Sequence, residues 1–284
     1  MDGLLSAGGA GGSHEIGVKI ASLQPSVSLI LDRLGRLDAL TACTRYCVEA
    51  VPELRERGVR VVRDSWSATA EELLEVEADV VIASVPYRRE SLEAILKAGC
   101  AVLALAPHSL ADVEHDIRLI AGVVGTPEGG ERLVAEMRDE VEAIRSRVVG
   151  RPKPLVYCEE WGKPLIHSQL WVKELVEAAG GEFLGTPGAA TTAEAVAAGD
   201  PEVVIAAWCG AGNRVPLEKL TRRPGWETIR AVRAGRVFGV DDALLNTPAP
   251  TLMEGLRAIA WALHPDLFDT APGTQSLNRA SRKT

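Results

Sequence analysis

The sequence predicts an α/β fold of two similar lobes with a ligand cleft between them, joined by one long helix. The first observation behind this is a phrase used twice, AEELLEVEADVVIAS at 70–84 and AEAVAAGDPEVVIAAW at 193–208. In each copy a glutamate, Glu71 or Glu194, stands nine residues ahead of the same apolar run, Val80-Val81-Ile82-Ala83 or Val203-Val204-Ile205-Ala206. A helix that feeds a fully apolar strand is half of an α/β unit. One such half in each part of the chain argues for two lobes facing each other across a cleft. The second observation is strand–helix alternation around both copies, the pattern of a parallel, doubly wound sheet. The third is the long amphipathic stretch that separates them.

Taken in order, the first lobe reads as strands at 18–23, 39–44, 59–62, 80–84 and 101–105. Helices fit at 26–34, 70–76, 89–98 and 110–124, with a short piece near 52–57. Gly35, Gly58 and Gly99 fall where helix C-caps belong. Thr126-Pro127 then opens the longest helical pattern, expected over 127–149 and closed by Gly150 and Pro152. Leu133, Val134, Met137, Val141, Ile144 and Val148 recur at intervals of three and four, with Glu and Arg on the other face. A helix of about 20 residues is roughly 30 Å long, which suits a rigid strut lying across two lobes. The second lobe reads as a strand at 154–159, a helix at 170–179 and a short strand at 182–184. The repeated helix and strand follow at 193–207, then a strand at 236–240 and a helix at 251–263. The expected divisions are a flexible lead at 1–15, lobes at 16–126 and 151–268, the connecting helix at 127–150, and a polar tail at 269–284.

Composition narrows the function classes. With 284 residues, 46% hydrophobic and 25% charged, the chain has the make-up of an ordinary globular protein. A net charge of −8 argues against nucleic acid and anionic membrane surfaces as partners, since both need basic patches. The five cysteines, Cys43, Cys47, Cys100, Cys158 and Cys209, form no CxxC pair. Neither a zinc ribbon nor a thioredoxin-type site is therefore encoded, and most of them read as small buried apolar residues. The opening MDGLLSAGGAGG has no basic cluster and no long apolar run, so read alone it fits either a cytoplasmic protein or one whose export signal has been removed.

The motifs of catalysis are absent: no GxGxxG after the first strand, no Walker loop, no GxSxG and no HExxH. Gly210-Ala211-Gly212 follows a strand but lacks the third glycine, and Pro216 interrupts any helix behind it. No catalytic or metal-ligating set is predicted. The aromatic distribution is more informative. Six of twelve aromatics are tryptophan. Trp171 and Trp261 sit at apolar helix positions and read as core. Trp66, Trp161 and Trp208 follow strands, at the ends where open α/β sheets bind ligands, and Tyr46 and Tyr87 occupy the same kind of position. Five such residues, three from one lobe and two from the other, make aromatic walls for a large flat ligand. Glu71 and Glu194 both open helices, where an acid complements the dipole behind Thr69 and Thr192 as caps.

The segments KIASLQPSVSLILDRLG, TRYC and AEELLEVEADVVIAS resemble the class III ABC-transporter substrate-binding proteins for vitamin B12, haem and ferric siderophores. The likeness covers roughly 16–268 and is strongest to the vitamin B12-binding branch, through Tyr46, Trp66 and the Trp161 of EEWG. It implies two Rossmann-like lobes joined by one long helix and a non-enzymatic function in an importer. The ligand it implies is cobalamin or another metal chelate carried as cargo, with no covalent cofactor and no metal of the protein's own. Tyr46, Trp66, Tyr87, Trp161 and Trp208 are the ligand-contacting residues by this reading. Asp242 and Asn246 align with a ligand-contacting loop, Asn246 standing where an arginine is usual. Glu71 and Glu194 match the two glutamates that engage arginine pockets on a permease. The resemblance also implies a monomer at the periplasm or cell surface. The alternatives are a ferric siderophore or haem as ligand, a cytoplasmic corrinoid-binding relative without a permease, and an enzyme using the same cleft.

Overall fold

The computed structural model describes residues 17–84, 89–97, 99, 101–269 and 273–277. The first lobe runs β1 (Ile20–Ser22), α1 (Pro25–Arg33), β2 (Leu40–Thr44), α2 (Arg45–Ala50), β3 (Arg60–Val62), α3 (Ala70–Leu74), β4 (Val80–Ser84), α4 (Arg89–Leu96), β5 (Ala101–Leu105) and α5 (Leu110–Val123). Its five strands are all parallel, in the order β3-β2-β1-β4-β5. The chain builds outwards from β1 in one direction and then from β4 in the other, so the order reverses between these two strands. The carboxyl ends at such a reversal are the usual ligand position of open α/β sheets. β1 and most of β4 are buried because helices cover both sheet faces, which is why their sequences are apolar without alternation.

After the long α6 (Pro127–Arg147) come β6 (Leu155–Gly162), β7 (Leu165–His167), α7 (Leu170–Ala178), β8 (Glu182–Phe183), β9 (Ala190–Thr191), α8 (Ala193–Gly199) and β10 (Val203–Ala206). Then follow α9 (Leu217–Thr221), α10 (Arg230–Arg233), β11 (Val237–Val240), α11 (Leu252–Leu263) and β12 (Thr274–Ser276). The second sheet has the order β12-β11-β10-β6-β7-β9, with β8 also on β6. β8, β6, β10 and β11 are parallel, while the pairings at the two sides, β7 on β6, β9 on β7 and β12 on β11, are antiparallel. β6 and β10 adjoin each other as β1 and β4 do. The repeated phrase therefore occupies equivalent places, α3 leading to β4 and α8 to β10.

Both lobes share one side of their packing. A single hydrophobic core extends from Ile20, Val27 and Ile117 through Leu133, Val134, Met137 and Ile144 of α6 to Val156, Leu175 and Leu256. Each lobe has in addition its own outer cluster, around Val81 and Leu73 in the first and around Tyr157, Val204 and Trp226 in the second. α6 packs on α5 of the first lobe and on α7 and α11 of the second, as a strut should. At Gly130 the two helices approach so closely that an added Cβ would lie 2.6 Å from that of Ala121. Polar ties cross directly between lobes as well, Arg33 to Glu254 at 2.9 Å and the Leu110 amide to Glu174 at 2.7 Å. Trp171 is core as expected, its indole donating to the Leu245 carbonyl at 2.8 Å.

Three expectations need correction. No helix is expected between the strand at 39–44 and the short piece near 52–57, yet α2 begins directly after Thr44, the last residue of β2, whose hydroxyl caps it by accepting from the Cys47 amide at 3.2 Å. Within the segment read as a polar tail, Thr274–Ser276 pairs with β11, which would otherwise be an open edge. Finally, Thr192 caps α8 but Thr69 makes no side-chain cap to α3, its hydroxyl accepting instead from the Arg63 guanidinium at 3.2 Å.

Candidate functional site

The first lobe presents aromatics from consecutive strand ends. Past β1, the Ser22 hydroxyl bonds those of Ser28, at 2.9 Å, and the Gln24 carbonyl, at 3.0 Å, which folds the chain tightly into Pro25 and α1. Past β2, the capped start of α2 holds Tyr46 outwards, with the Arg45 guanidinium 4.5 Å above its ring and donating to its hydroxyl at 2.5 Å. Past β3, the Asp64 carboxylate accepts from the Trp66 amide at 3.1 Å and the Ser67 hydroxyl at 2.8 Å, an Asx turn that projects Trp66. That turn is tied to the switch point, because the buried Ser65 hydroxyl donates to the Leu23 carbonyl at 3.1 Å. Tyr87 lies outside the described residues.

In the second lobe β6 runs on into a hairpin with β7, carrying Trp161, whose indole donates to the Lys163 carbonyl at 2.8 Å. Tyr46, Trp66 and Trp161 are 39, 41 and 43% exposed, and they are the exposed members of the described aromatics. Water-facing aromatic rings grouped at strand ends are poor solvent surface and good ligand surface. Trp208, just past β10, is half-buried. Its ring lies on the backbone of Gly162, where an added Cβ would come within 2.9 Å of it, so only glycine fits under that indole.

Trp161 and Trp208 thus share one cavity of about 650 Å³. Its remaining wall includes Lys163, Lys219, Leu220 and Arg223. Neither lysine makes an ion pair with the described residues. Lys219 and Arg223 escape a reading of the sequence because α9 and the turn after it lie far along the chain from Trp161, whereas Lys163 stands two residues from Trp161 with no local mark of its role. Beneath the cavity, Glu159 of β6 is fully buried and accepts from Arg223 at 2.6 and 2.8 Å, from Tyr157 at 2.8 Å and from Trp208 at 2.8 Å.

Asp242 and Asn246 come to the back of the same loop. Both Asp242 oxygens are taken by backbone amides, Gly210 at 2.7 Å and Gly212 at 2.8 Å. This uses up the N–H groups that a phosphate-binding glycine loop would need free. The Asn246 amide donates to the Ala207 carbonyl at 2.7 Å and faces the Cys209 sulfur at 3.3 Å, while its buried oxygen has no partner among the described residues. Burial, then the charges of Glu160 and Asp242, push the Cys209 thiol up to about 12, so it stands neutral beside the cavity. Burial likewise raises Glu160. Among the described residues no three His, Cys, Asp or Glu side chains converge as a metal site. Glu71 and Glu194 are exposed in the first turns of α3 and α8.

Comparison with known proteins bears on this arrangement. The family described as periplasmic binding protein matches residues 20–244. The uncharacterized ABC transporter substrate-binding lipoprotein YvrC of Bacillus subtilis is 24% identical over 267 residues, covering 88% of this chain and 81% of that protein. A cobalamin-binding protein of Halobacterium salinarum is 23% identical over 258 residues, covering 87% of this chain and 69% of that one. A periplasmic haem-binding protein of Pseudomonas aeruginosa has the same fold, with a TM-score of 0.79, 23% identity, and 92% of this chain and 98% of that one covered. Since the matched region runs from β1 through the long helix and past β11, the chain belongs to the periplasmic binding protein family.

Proposed function

We propose that the chain is the substrate-binding component of an ABC importer, and that its cargo is a large flat metal chelate, a corrinoid such as cobalamin. The family binds solutes and is not one of enzymes. The observation that carries the reading is the set of aromatic residues at strand carboxyl ends, Tyr46 and Trp66 in one lobe and Trp161 with Trp208 in the other. Stacking a macrocycle on two or three of these rings buries apolar area at roughly 25 cal/mol per Å², a gain of several kcal/mol before the costs of association. The cobalamin-binding relative from Halobacterium supports a corrinoid. A second reading, a haem or another carboxylate-bearing chelate, is favoured by Lys163, Lys219 and Arg223 around the cavity and by the haem-binding relative from Pseudomonas. On either reading the lobes are 16–126 and 151–268 with 127–150 as the strut, and the ligand lies between them. Replacing Trp66 or Trp161 by Ala should weaken binding of the accepted chelate about tenfold or more with the fold intact. Isothermal calorimetry giving unchanged affinity in both variants would sink the assignment.

The partner on this reading is a permease, engaged by a monomer outside the cytoplasm. Glu71 and Glu194 are exposed at equivalent helix starts of the two lobes, which suits them to arginines on a two-fold partner. Such pairs set orientation more than affinity. The double variant Glu71→Lys/Glu194→Lys should therefore abolish uptake in cells while leaving chelate affinity as it was. Normal uptake by that variant would remove the docking role.

A further inference from the structure

We infer that Glu159 and Arg223 are positioning residues for ligand binding, holding the Trp208 indole in place so that the second-lobe wall of the cavity is built before ligand arrives. The inference rests on the ligand-binding reading above and adds to it a device that none of the aromatic positions reveals.

Glu159 ends the apolar buried stretch of β6, following Val156, Tyr157 and Cys158, all of them inaccessible to solvent, and is as buried as they are. Each of its oxygens receives two donors. Oε1 takes Arg223 Nη2 at 2.8 Å and Trp208 Nε1 at 2.8 Å, and Oε2 takes Arg223 Nη1 at 2.6 Å and Tyr157 Oη at 2.8 Å. Four bonds saturate a carboxylate, so Glu159 has no capacity left for a ligand. Its work is internal. A buried ion pair is seldom the most stable way to fill a core, and an apolar pair of the same volume commonly serves as well or better. What an apolar pair lacks is a directed acceptor for one indole N–H.

The guanidinium is itself fixed on three sides. It is bidentate on Glu159, lies 4.7 Å from the Trp226 ring centroid, and stands 5.9 Å from that of Trp208. Trp226 in turn is buried, donates to the Ala193 carbonyl at 3.1 Å, and meets Tyr157 edge-on at 5.9 Å. Trp208 is thus held at its N–H by Glu159 and along its benzo edge by the Gly162 backbone. A side chain whose torsions are already fixed loses no rotamer freedom when a ring stacks on it, which is how preorganisation becomes affinity.

The test uses the full chain labelled with 5-fluorotryptophan, with the Trp208 fluorine resonance identified by its loss in Trp208→Phe. In the ligand-free wild type that resonance should be one narrow line, and in Glu159→Gln it should broaden or split. An unchanged line in Glu159→Gln would overturn the inference. Affinity supplies the second readout, with cyanocobalamin and haemin as probes. For whichever binds, Glu159→Gln and Trp208→Phe should each weaken it about fivefold, and the double variant should be no weaker than the worse single. Additive losses would show that the two residues act separately and overturn the proposal. Should Glu159→Gln fail to fold, Trp208→Phe keeps the ion pair and a smaller aromatic ring that has no N–H for Glu159, and wild-type affinity in that variant would be equally fatal. If neither probe binds the wild type, the ligand reading fails on that result, while the fluorine line of the free protein still decides whether Glu159 holds Trp208.

Discussion

Arg223→Ala is expected to cost about 3–5 kcal/mol of unfolding free energy, the scale for stripping the partner from a buried charge. Glu159 is wholly inaccessible and the Arg223 side chain only 15% exposed, so water does little to compensate the orphaned carboxylate. The variant also loses the stacking of the guanidinium on Trp226. Most other ion pairs among the described residues are well exposed, such as Arg57 with Glu53 or Arg222 with Glu218, and exposed pairs of this kind contribute less than about 1 kcal/mol each. Removing both partners together, in Glu159→Leu/Arg223→Leu, should cost clearly less than Arg223→Ala alone, since no buried charge is left behind. Urea unfolding of the three proteins checks this. A loss under about 1 kcal/mol for Arg223→Ala would mean that the pair is far more hydrated than its geometry implies.

Asp116→Asn is expected to stabilise the protein at pH 8 by up to about 4 kcal/mol and to leave it nearly unchanged at pH 4. Asp116 lies on the buried face of α5, among Val113, Ile117 and Ile120. Burial, with a smaller contribution from the nearby Asp112 charge, raises its carboxyl to about 7. The folded-state value is thus above the ordinary 3.8, so between those two values the folded protein holds a proton that the unfolded chain has released. Stability from this group is complete below the unfolded value and is lost as pH rises towards 7. An asparagine is neutral throughout and removes that slope. Melting temperatures of both proteins measured from pH 4 to pH 8 should diverge as pH rises, and parallel curves would contradict the raised carboxyl.

Much of the fold was legible because it is written in local patterns. The five strands of the first sheet are short, mainly apolar runs bounded by glycines or polar turns, and each appears within two residues of its expected limits. The repeated phrase fell on equivalent elements because the lobes share a topology around β1/β4 and β6/β10. The parts that escaped depend on partners distant in sequence. β7, β9 and β12 are two- or three-residue strands that exist through antiparallel pairing, with no periodicity of their own. α2 was hidden because Thr44 serves at once as the last strand residue and the cap.

The site divided in the same way. Tyr46, Trp66 and Trp161 could be proposed from their places after strands, and all three are exposed there. Glu159 was passed over although a carboxylate inside LVYCEE is a signal by itself, since a buried acid needs a partner. That partner, Arg223, stands 64 residues further on, and nothing local marks it. Asp242 and Asn246 were expected at the ligand. Their carboxylate and amide brace the 207–212 loop, a structural role that spacing alone does not reveal and that leaves their part in ligand contact a proposal.

The most direct test of the account is a visible-absorption titration of the purified protein with cyanocobalamin, haemin and a ferric siderophore, each run alongside Trp66→Ala/Trp161→Ala. The account predicts a saturable spectral change at one ligand per chain for one of the macrocycles, lost or much weakened in the double variant. No spectral change with any of the three, or an equal change in wild type and double variant, would contradict it.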